Sequence, residues 1–362
     1  MIPKSYSMAY RRLVSLERKL EKDPVLKQRV HDMISDYEMK GYAHKATKEE
    51  LTSIDQKRLW YLPLGVVINQ KKPGKVRLIW DAAAKTDGVC FNSLLLKGPD
   101  MLTSLPQVLS QFRQFPVAVC GDIREMFHQI RIREEDRQSQ RFLWRNAPAD
   151  APTIYVMDVA TFGSTCSPAS AQYVKNLNAS EVAEQFPRAA AAILMNHYVD
   201  DYLASFSTAE EAIVVVNEVK HVHAIGGFEI RNFLSNNVEV LRGIGEWKTG
   251  TEKDLDLIRG DASQSVLGMT WFPDTDEFAY KFALRSDLSP ILMKDHIPTK
   301  RGVLKVVMSL FDPLGLLAFF SFREKYLFKK RGSRELAGMI LYQASCKNDG
   351  NGGLAFSRSW NR

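Results

Sequence analysis

The sequence predicts an α+β protein, in which charge-rich helices precede a series of short strands. Two observations support this class. Apolar residues recur at helical spacing near the start of the chain, at Leu13, Leu16, Leu20 and Val30. From Leu62 onward, short β-type runs are bounded by turn-forming residues. With 362 residues, 45% hydrophobic and 25% charged, the composition is that of a globular protein, which excludes a disordered tail, a collagen-like rod and a disulfide-stapled mini-protein.

The sequence predicts the following helices and strands. Residues 6–58 are predicted to be helical, and Leu64–Ile68 and Val76–Trp80 form a hairpin with a basic tip at Lys71–Lys75. Apolar runs at Ile193–Tyr198 and Tyr202–Phe206 flank a second turn. Further strands are predicted at Val117–Gly121, Arg141–Trp144, Thr153–Val159, Val238–Leu241, Ser265–Trp271 and Glu277–Phe282. Further helices are predicted at Ser167–Asn178, Ser180–Phe186, Thr208–Ala224 and from Thr299 onward.

Charge and cysteine usage restrict the environment of the protein. There are 49 Lys and Arg against 42 Asp and Glu, a net charge of +7, which permits a polyanionic partner without requiring one. The four cysteines include no C-x-x-C pair, as is typical of a reduced, intracellular protein, and we expect a cytoplasmic location. The most apolar stretch, Val303–Phe322, contains Asp312-Pro313 near its middle, so we expect no membrane partner.

The sharpest local feature is the run Tyr198-Val199-Asp200-Asp201 between two apolar β runs. Adjacent carboxylates repel each other, and a divalent cation holds them ionised together most readily. Oxygen-only ligation suits Mg²⁺. An Asp-Asp pair alone is usually an ordinary surface turn, so its significance depends on the neighbouring motifs.

Three other segments accompany this pair. Val117–Asp122 is a strand that ends in a carboxylate, and Phe127 follows five residues later. Phe162-Gly163 begins a Gly/Ser turn that opens a helix, where the backbone can approach a flat ligand closely. Lys75–Asp81 lies on the basic hairpin. Taken singly, Phe127 is as well explained as core, Arg77 as a surface residue and Asp122 as a helix N-cap.

In this order the segments resemble the reverse transcriptases, and specifically the polymerase of the Pao/BEL class of LTR retrotransposons. Tyr198–Asp201 is similar to the family's Y-x-D-D box, and Asp122 with Phe127 to its D-x-x-x-x-[F/Y] box. Phe162-Gly163 with Ser167-Pro168 is similar to the F-G-x-x-x-S-P box. The resemblance also covers Ala224–Asn236, the primer-grip region at Leu267–Trp271 and a thumb-like segment at Leu304–Leu316.

The resemblance implies a right-hand polymerase with an antiparallel palm sheet. Residues 1–61 would be an N-terminal helical part of the fingers, and residues 62–115 the fingers hairpin and its connection. Residues 116–271 would form the palm, and 272–330 a connection with thumb-like helices. Residues 331–362 are expected to be a truncated or irregular tail, so the chain resembles a piece of a polyprotein or a decayed genomic copy.

The resemblance also implies the roles of site residues. Asp122, Asp200 and Asp201 would be catalytic and, with Ile123, would bind two Mg²⁺ ions, for which Mn²⁺ is an alternative. Arg77 and Lys72 would clamp the triphosphate of a deoxynucleotide, since guanidinium matches phosphate oxygens. Phe127 would exclude a 2′-hydroxyl, and Phe162 and Gly163 would border the nucleotide. Backbone amides from Ile123 to Phe127 are candidates for triphosphate contacts.

The implied reaction is RNA-directed DNA synthesis, with an RNA template, a DNA primer, their hybrid and deoxynucleotides as partners. One departure bears on this chemistry: Arg231-Asn232 stands where the family often has a Lys proposed as a proton donor. Arg releases a proton poorly, so the acid lies elsewhere or turnover is reduced. The alternatives are an RNA-dependent RNA polymerase, a relic or domesticated copy that binds nucleic acid or nothing, and, less well supported, a metal-dependent nuclease.

Overall fold

The computed structural model describes residues 3–52, 55–68, 76–246, 264–267, 269–281, 301, 305, 312–315 and 353–356. The α-helices are α1 Tyr6–Leu20, α2 Pro24–Met39, α3 Lys48–Thr52, α4 Leu105–Phe112, α5 Glu134–Arg137, α6 Ser167–Glu181, α7 Pro187–Met195, α8 Ala209–Ile225 and α9 Val238–Gly243. The strands are β1 Ala43–Lys45, β2 Leu64–Ile68, β3 Val76–Trp80, β4 Lys85–Thr86, β5 Val89–Cys90, β6 Val117–Ile123, β7 Arg141–Trp144, β8 Thr153–Met157, β9 His197–Tyr198, β10 Asp201–Phe206, β11 Ile230–Ser235, β12 Gln264–Val266, β13 Met269–Phe272, β14 Glu277–Lys281 and β15 Gly353–Phe356.

The chain divides into two compact units, each assembled from three separate stretches. The first unit comprises Met1–Leu102, Ile123–Leu194 and Lys220–Ile230. The second unit comprises Thr103–Asp122, Met195–Val219 and Arg231–Arg362.

The first unit surrounds one hydrophobic core. Helix α1 contributes the residues whose spacing predicted it, including the buried Leu13, Leu16 and Leu20. The hairpin β2–β3 and the sheet ordered β1-β8-β7 contribute Leu78, Trp80 and further apolar side chains to the same core. Because burying one large aliphatic side chain stabilises by about 1.5–3 kcal/mol, this core holds the N-terminal helices to the sheet.

The second unit contains two four-stranded sheets, ordered β11-β6-β10-β9 and β12-β13-β14-β15. Strand β10 pairs antiparallel with β6 and with β9. Apolar side chains from α4, β6, β10 and β13 form its core: Val108, Leu109, Phe112, Ala118, Cys120, Leu203, Met269 and Trp271. The structure therefore shows the predicted mixture of helices and antiparallel sheet.

Two predicted strands are wrong. Val238–Leu241 is helical, as α9, because the Asn237 side chain accepts a hydrogen bond from the Glu239 amide and caps a helix there. The run Ile193–Tyr198 is helical at its start, since α7 extends to Met195. Its alanine-rich sequence after Pro187 is a stronger signal than the apolar residues that follow. The predicted helix over Ser180–Phe186 is also wrong: Ser180 and Glu181 are the end of α6, and residues 182–185 form a turn before α7 begins at Pro187.

The predicted helical stretch 6–58 is interrupted by strand β1, which pairs with β8, because Gly41 with φ of +65° follows α2 and redirects the chain. Most of the remaining predicted elements in the described part of the chain are confirmed. The hairpin strands have the predicted bounds, and α8 lies within one residue of its predicted ends. The hairpin tip with Lys72, most of Leu304–Leu316 and most of the tail lie outside the described residues. None of the described helices combines the length and the apolar character needed to cross a lipid bilayer.

Candidate active site

Two strands bring the predicted carboxylates to one edge of a sheet in the second unit. Asp122 lies near the end of β6, and Asp201 begins β10. The antiparallel register places Asp122 directly opposite Asp201. Asp200 lies in the two-residue turn that joins β9 to β10. We call Asp122, Asp200 and Asp201 the carboxylate edge; two segments far apart in sequence form it.

The turn that carries Asp200 has an unusual backbone. Val199 has φ of +57°, a left-handed conformation that β-branched residues rarely adopt. A two-residue hairpin turn requires such a conformation at its first central position, where glycine is the usual residue. A strained residue of this kind costs on the order of 1–3 kcal/mol and is typical of functional sites.

The negative charges at the carboxylate edge repel one another. Burial, and then the neighbouring Asp200 and Asp122 carboxylates, raise the pKa of Asp201 to about 7. Asp201 is half-buried and Asp200 is exposed. The edge therefore concentrates negative charge that a cation would offset.

The Asp122 carboxylate has two partners on β11. The Asn232 side-chain amide donates a hydrogen bond of 2.6 Å from Nδ2 to Oδ1 of Asp122. The Nε atom of Arg231 lies 3.7 Å from Oδ2 of the same carboxylate. The sequence identified Arg231-Asn232 as a departure from the family pattern, but it gave no signal that both residues contact Asp122.

The donor set of the carboxylate edge suits Mg²⁺. Its side-chain ligands are all oxygens, as that ion prefers, and the repulsion at Asp201 is what a divalent cation would relieve. Within the described ranges, no three His, Cys, Asp or Glu side chains are grouped so that they could hold one ion. The side chain of Ile123 is buried hydrocarbon, so only its backbone carbonyl could serve as a ligand.

The first unit contains a separate group of predicted site residues. The rings of Phe127 and Phe162 lie in contact, with centroids 5.0 Å apart. Phe162 is 37% exposed and Phe127 is half-buried, so the pair presents aromatic surface to solvent. We call Phe127 and Phe162, with the supporting His128, the aromatic platform.

Gly163 allows the loop of the platform to lie against strand β3. Its φ is +116°, and a Cβ at this position would lie 2.2 Å from the carbonyl oxygen of Trp80. The Trp80 amide donates to the Phe162 carbonyl at 3.3 Å, and the Asn92 side-chain amide donates to the Gly163 carbonyl at 3.0 Å. This close approach of two backbones requires glycine.

His128 supports the aromatic platform, although the sequence motifs assign it no role. Its ring contacts the ring of Phe162 edge-on at 5.1 Å. Tyr37, Tyr42 and Trp80 surround it at 5.0, 5.1 and 6.3 Å between centroids. Only 2% of His128 is exposed, and neither ring nitrogen has a hydrogen-bond partner among the described residues. Burial lowers the pKa of His128 to about 4, so the ring is neutral at pH 7.

The remaining groups that were predicted to contact the triphosphate lie in different environments. Arg77 is exposed on β3, opposite Val67 of β2. Of the backbone amides predicted to contact triphosphate, that of Arg124 already donates to the Glu229 carbonyl at 2.8 Å. The next residue, Glu125, has φ of +47° and accepts hydrogen bonds from Tyr42 at 3.0 Å and from Lys40 at 3.3 Å. This turn is therefore anchored to α2 and the residues that follow it.

Comparison with known proteins finds one family model that matches part of the chain. Residues 69–232 match the model of the family described as reverse transcriptase (RNA-dependent DNA polymerase). This range includes the carboxylate edge and the aromatic platform. No match is found among curated proteins.

Two solved structures are similar to this chain at low sequence identity. One is a foamy viral protease-reverse transcriptase in complex with an RNA/DNA hybrid, at TM-score 0.50 and 12% identity, covering 88% of this chain and 36% of that one. Another is a foamy viral protease-reverse transcriptase dRH in complex with double-stranded DNA, at TM-score 0.48 and 12% identity, covering 86% of this chain and 47% of that one. The chain thus spans less than half the length of these proteins.

Proposed function

We propose that this chain adds deoxynucleotides to the 3′-end of a primer on an RNA or DNA template. The match of residues 69–232 to the model of the reverse transcriptase (RNA-dependent DNA polymerase) family supports this proposal. The observation that carries the proposal is the placement of Asp122 opposite Asp201, with Asp200 in the adjoining turn. Nucleotidyl transfer needs carboxylates from separate segments at one point, and these strands supply them.

In this proposal Asp122, Asp200 and Asp201 are the catalytic residues and hold two Mg²⁺ ions, with the Ile123 carbonyl as a further ligand. When bound, the ions activate the primer 3′-hydroxyl and offset charge on the leaving pyrophosphate. The strained turn at Val199 fixes the backbone that carries Asp200. Half-burial of Asp201 strengthens its electrostatic interactions, because water screens them less there.

The residues of the aromatic platform would select and orient the nucleotide. Phe127 would exclude a 2′-hydroxyl, and the half-exposed Phe162 would border the base with Gly163 beside it. Arg77 is exposed and therefore able to approach phosphate, with Lys72 as its expected companion. A guanidinium fork matches phosphate oxygens in a bidentate manner.

We also propose a finer classification as a right-hand polymerase with the fingers, palm and thumb-like segments stated above, from a Pao/BEL-class LTR retrotransposon. The order and spacing of the sequence boxes support this class. The template would be held mainly through phosphates, so its affinity should fall with salt. A reducing, intracellular environment fits Cys90, Cys120 and Cys166, which are free thiols.

Primer extension tests the proposal directly. A DNA primer on an RNA template is incubated with deoxynucleotides and Mg²⁺, and Asp200→Asn is compared with the unaltered chain. We expect extension by the unaltered chain and a loss of at least about 100-fold in the variant, because one metal-binding oxygen is exchanged for an amide. Asp274→Asn is the matched control, since Asp274 is an exposed carboxylate in the turn between β13 and β14.

The result separates the proposal from its rivals. An inert unaltered chain favours the relic, and full activity of Asp200→Asn contradicts the assigned site. Ribonucleotide incorporation by the unaltered chain favours an RNA polymerase. In the same assay Phe127→Ala should raise ribonucleotide incorporation, and an unchanged ratio contradicts the role given to Phe127.

A further inference from the structure

We propose that Asn232, assisted by Arg231, is a latch that holds the Asp122 carboxylate and thereby weakens the binding of divalent cations at the carboxylate edge. The inference rests on the proposed function for the identity of the edge. It concerns two residues to which the sequence motifs assign no contact with Asp122. Asn232 would be a positioning residue, because it acts through Asp122.

The contacts engage both oxygens of one carboxylate. Asn232 donates to Oδ1 at 2.6 Å, which is short for an amide donor and typical of a hydrogen bond to a charged acceptor. Arg231 places a positive charge 3.7 Å from Oδ2. At that distance the guanidinium attracts the carboxylate, and Nε has no hydrogen-bond partner in the part of the chain that the structure describes.

The backbone of β11 explains how two consecutive residues reach the same carboxylate. Successive side chains of a regular strand point to opposite faces of the sheet. Asn232, however, has φ of +54°, which interrupts that alternation. Asparagine tolerates this left-handed conformation better than most residues other than glycine. The local backbone is therefore shaped so that both residues act on Asp122.

Close packing of β11 against β6 keeps the latch in place. A Cβ on Gly121 would lie 3.0 Å from the ring of Phe233 and 3.2 Å from the Arg231 carbonyl. Gly121 directly precedes Asp122, and Phe233 directly follows Asn232. The absence of a side chain at Gly121 thus lets the two strands approach where the latch forms.

A cation that binds Asp122 must compete with these contacts. Hydrogen bonds to charged groups are worth more than neutral ones, so the competition is measurable even at an exposed site. Releasing Asp122 should therefore tighten cation binding.

The test measures Mn²⁺ binding by electron paramagnetic resonance, which reports free ion and does not depend on polymerase activity. Asn232→Gly removes the amide and keeps the backbone, because glycine adopts a positive φ without strain. We expect Mn²⁺ to bind about threefold to tenfold more tightly to this variant. Arg231→Gln removes the positive charge and should tighten binding less, because no hydrogen bond is lost.

The controls separate the latch from general effects. Asn217→Ala, also in the second unit, removes an amide that donates to the Gly243 carbonyl at 3.3 Å, and its affinity should not change. Asp122→Asn should weaken binding in every background. Unchanged or weaker Mn²⁺ binding in both Asn232→Gly and Arg231→Gln overturns the latch while leaving the proposed function intact. Absence of Mn²⁺ binding in the unaltered chain overturns both.

Discussion

In the carboxylate edge of the second unit, hydrogen bonds and charges position the side chains. In the aromatic platform of the first unit, contacts between rings position them. Asp122 is positioned by a hydrogen bond of 2.6 Å and by an ion pair. Phe162 is positioned by an edge-on ring and by a backbone contact that requires Gly163. The edge can therefore rearrange by exchanging partners, while the platform is fixed by shape.

Each region also keeps one titratable group in an environment that disfavours its charged form. The pKa of Asp201 is raised to about 7, so its burial opposes the anion. The pKa of His128 is lowered to about 4, so its burial opposes the cation. The same physical cause thus gives opposite dependences of stability on pH in the two regions.

The largest expected effect tests whether shape fixes the platform. Gly163→Ala should lower the free energy of unfolding by about 3–5 kcal/mol, because the new Cβ would overlap the Trp80 carbonyl oxygen. Urea denaturation measures the loss, and a raised KM for deoxynucleotides would report the displaced Phe162.

A second glycine in the first unit gives the matched control. Gly88 also has a positive φ, of +80°, but a Cβ there would lie within 4 Å of none of the described residues. Gly88→Ala should therefore cost only the backbone strain, about 1–2 kcal/mol. Equal losses in the two variants would mean that the contact with Trp80 does not hold the platform.

How much of the fold the sequence predicts depends on whether the signals within one segment agree. The strands of the hairpin at Leu64–Ile68 and Val76–Trp80 are correct because two short apolar runs flank a Pro-Gly turn signal. The segment Val238–Leu241 is apolar enough to read as a strand, yet a single cap at Asn237 makes it helical. Such local hydrogen bonds decide short segments whose pattern is ambiguous.

For the candidate site, the sequence predicts the residues within motifs but not those that support them. It predicted that Asp122 and Asp200 lie on separate segments, and the strand register places Asp122 opposite Asp201. The contact from Asn232 depends on one positive φ, which spacing does not reveal. The ring of Tyr37 reaches His128 from a helix far away in sequence, through tertiary packing alone.

The second prediction concerns the pH dependence of the platform. His128 binds a proton more weakly in the folded chain than its ordinary pKa of 6.5, so stability is full above that pH and is lost as pH falls toward about 4. The full loss is about 3 kcal/mol. Glu125 opposes the shift and Lys40 adds to it. His128→Phe should reduce the dependence of the free energy of unfolding on pH, as measured by denaturation at several pH values between 7 and 4.

A second histidine of the first unit tests whether burial is the cause. His31 also has a lowered pKa, but it is less buried than His128. His31→Phe should therefore change the slope less. If the free energy of unfolding of His128→Phe still falls with pH as before, another group causes the acid sensitivity. The proposed difference in pH dependence between the two regions would then be wrong.

The smallest expected effect is at the carboxylate edge, where stability changes with pH in the direction opposite to that of the platform. Asp201 binds a proton more strongly in the folded chain, so stability is full below its ordinary pKa near 4 and is lost as pH rises through about 7. Solvent screening at this half-buried residue limits the loss to about 1–2 kcal/mol. With a chelator present, Asp201→Asn should remove the slope between pH 4 and pH 7, while Asp274→Asn should retain it. If both variants keep the slope, the three carboxylates do not repel one another strongly enough to need a cation, and the electrostatic argument for a metal at this edge fails.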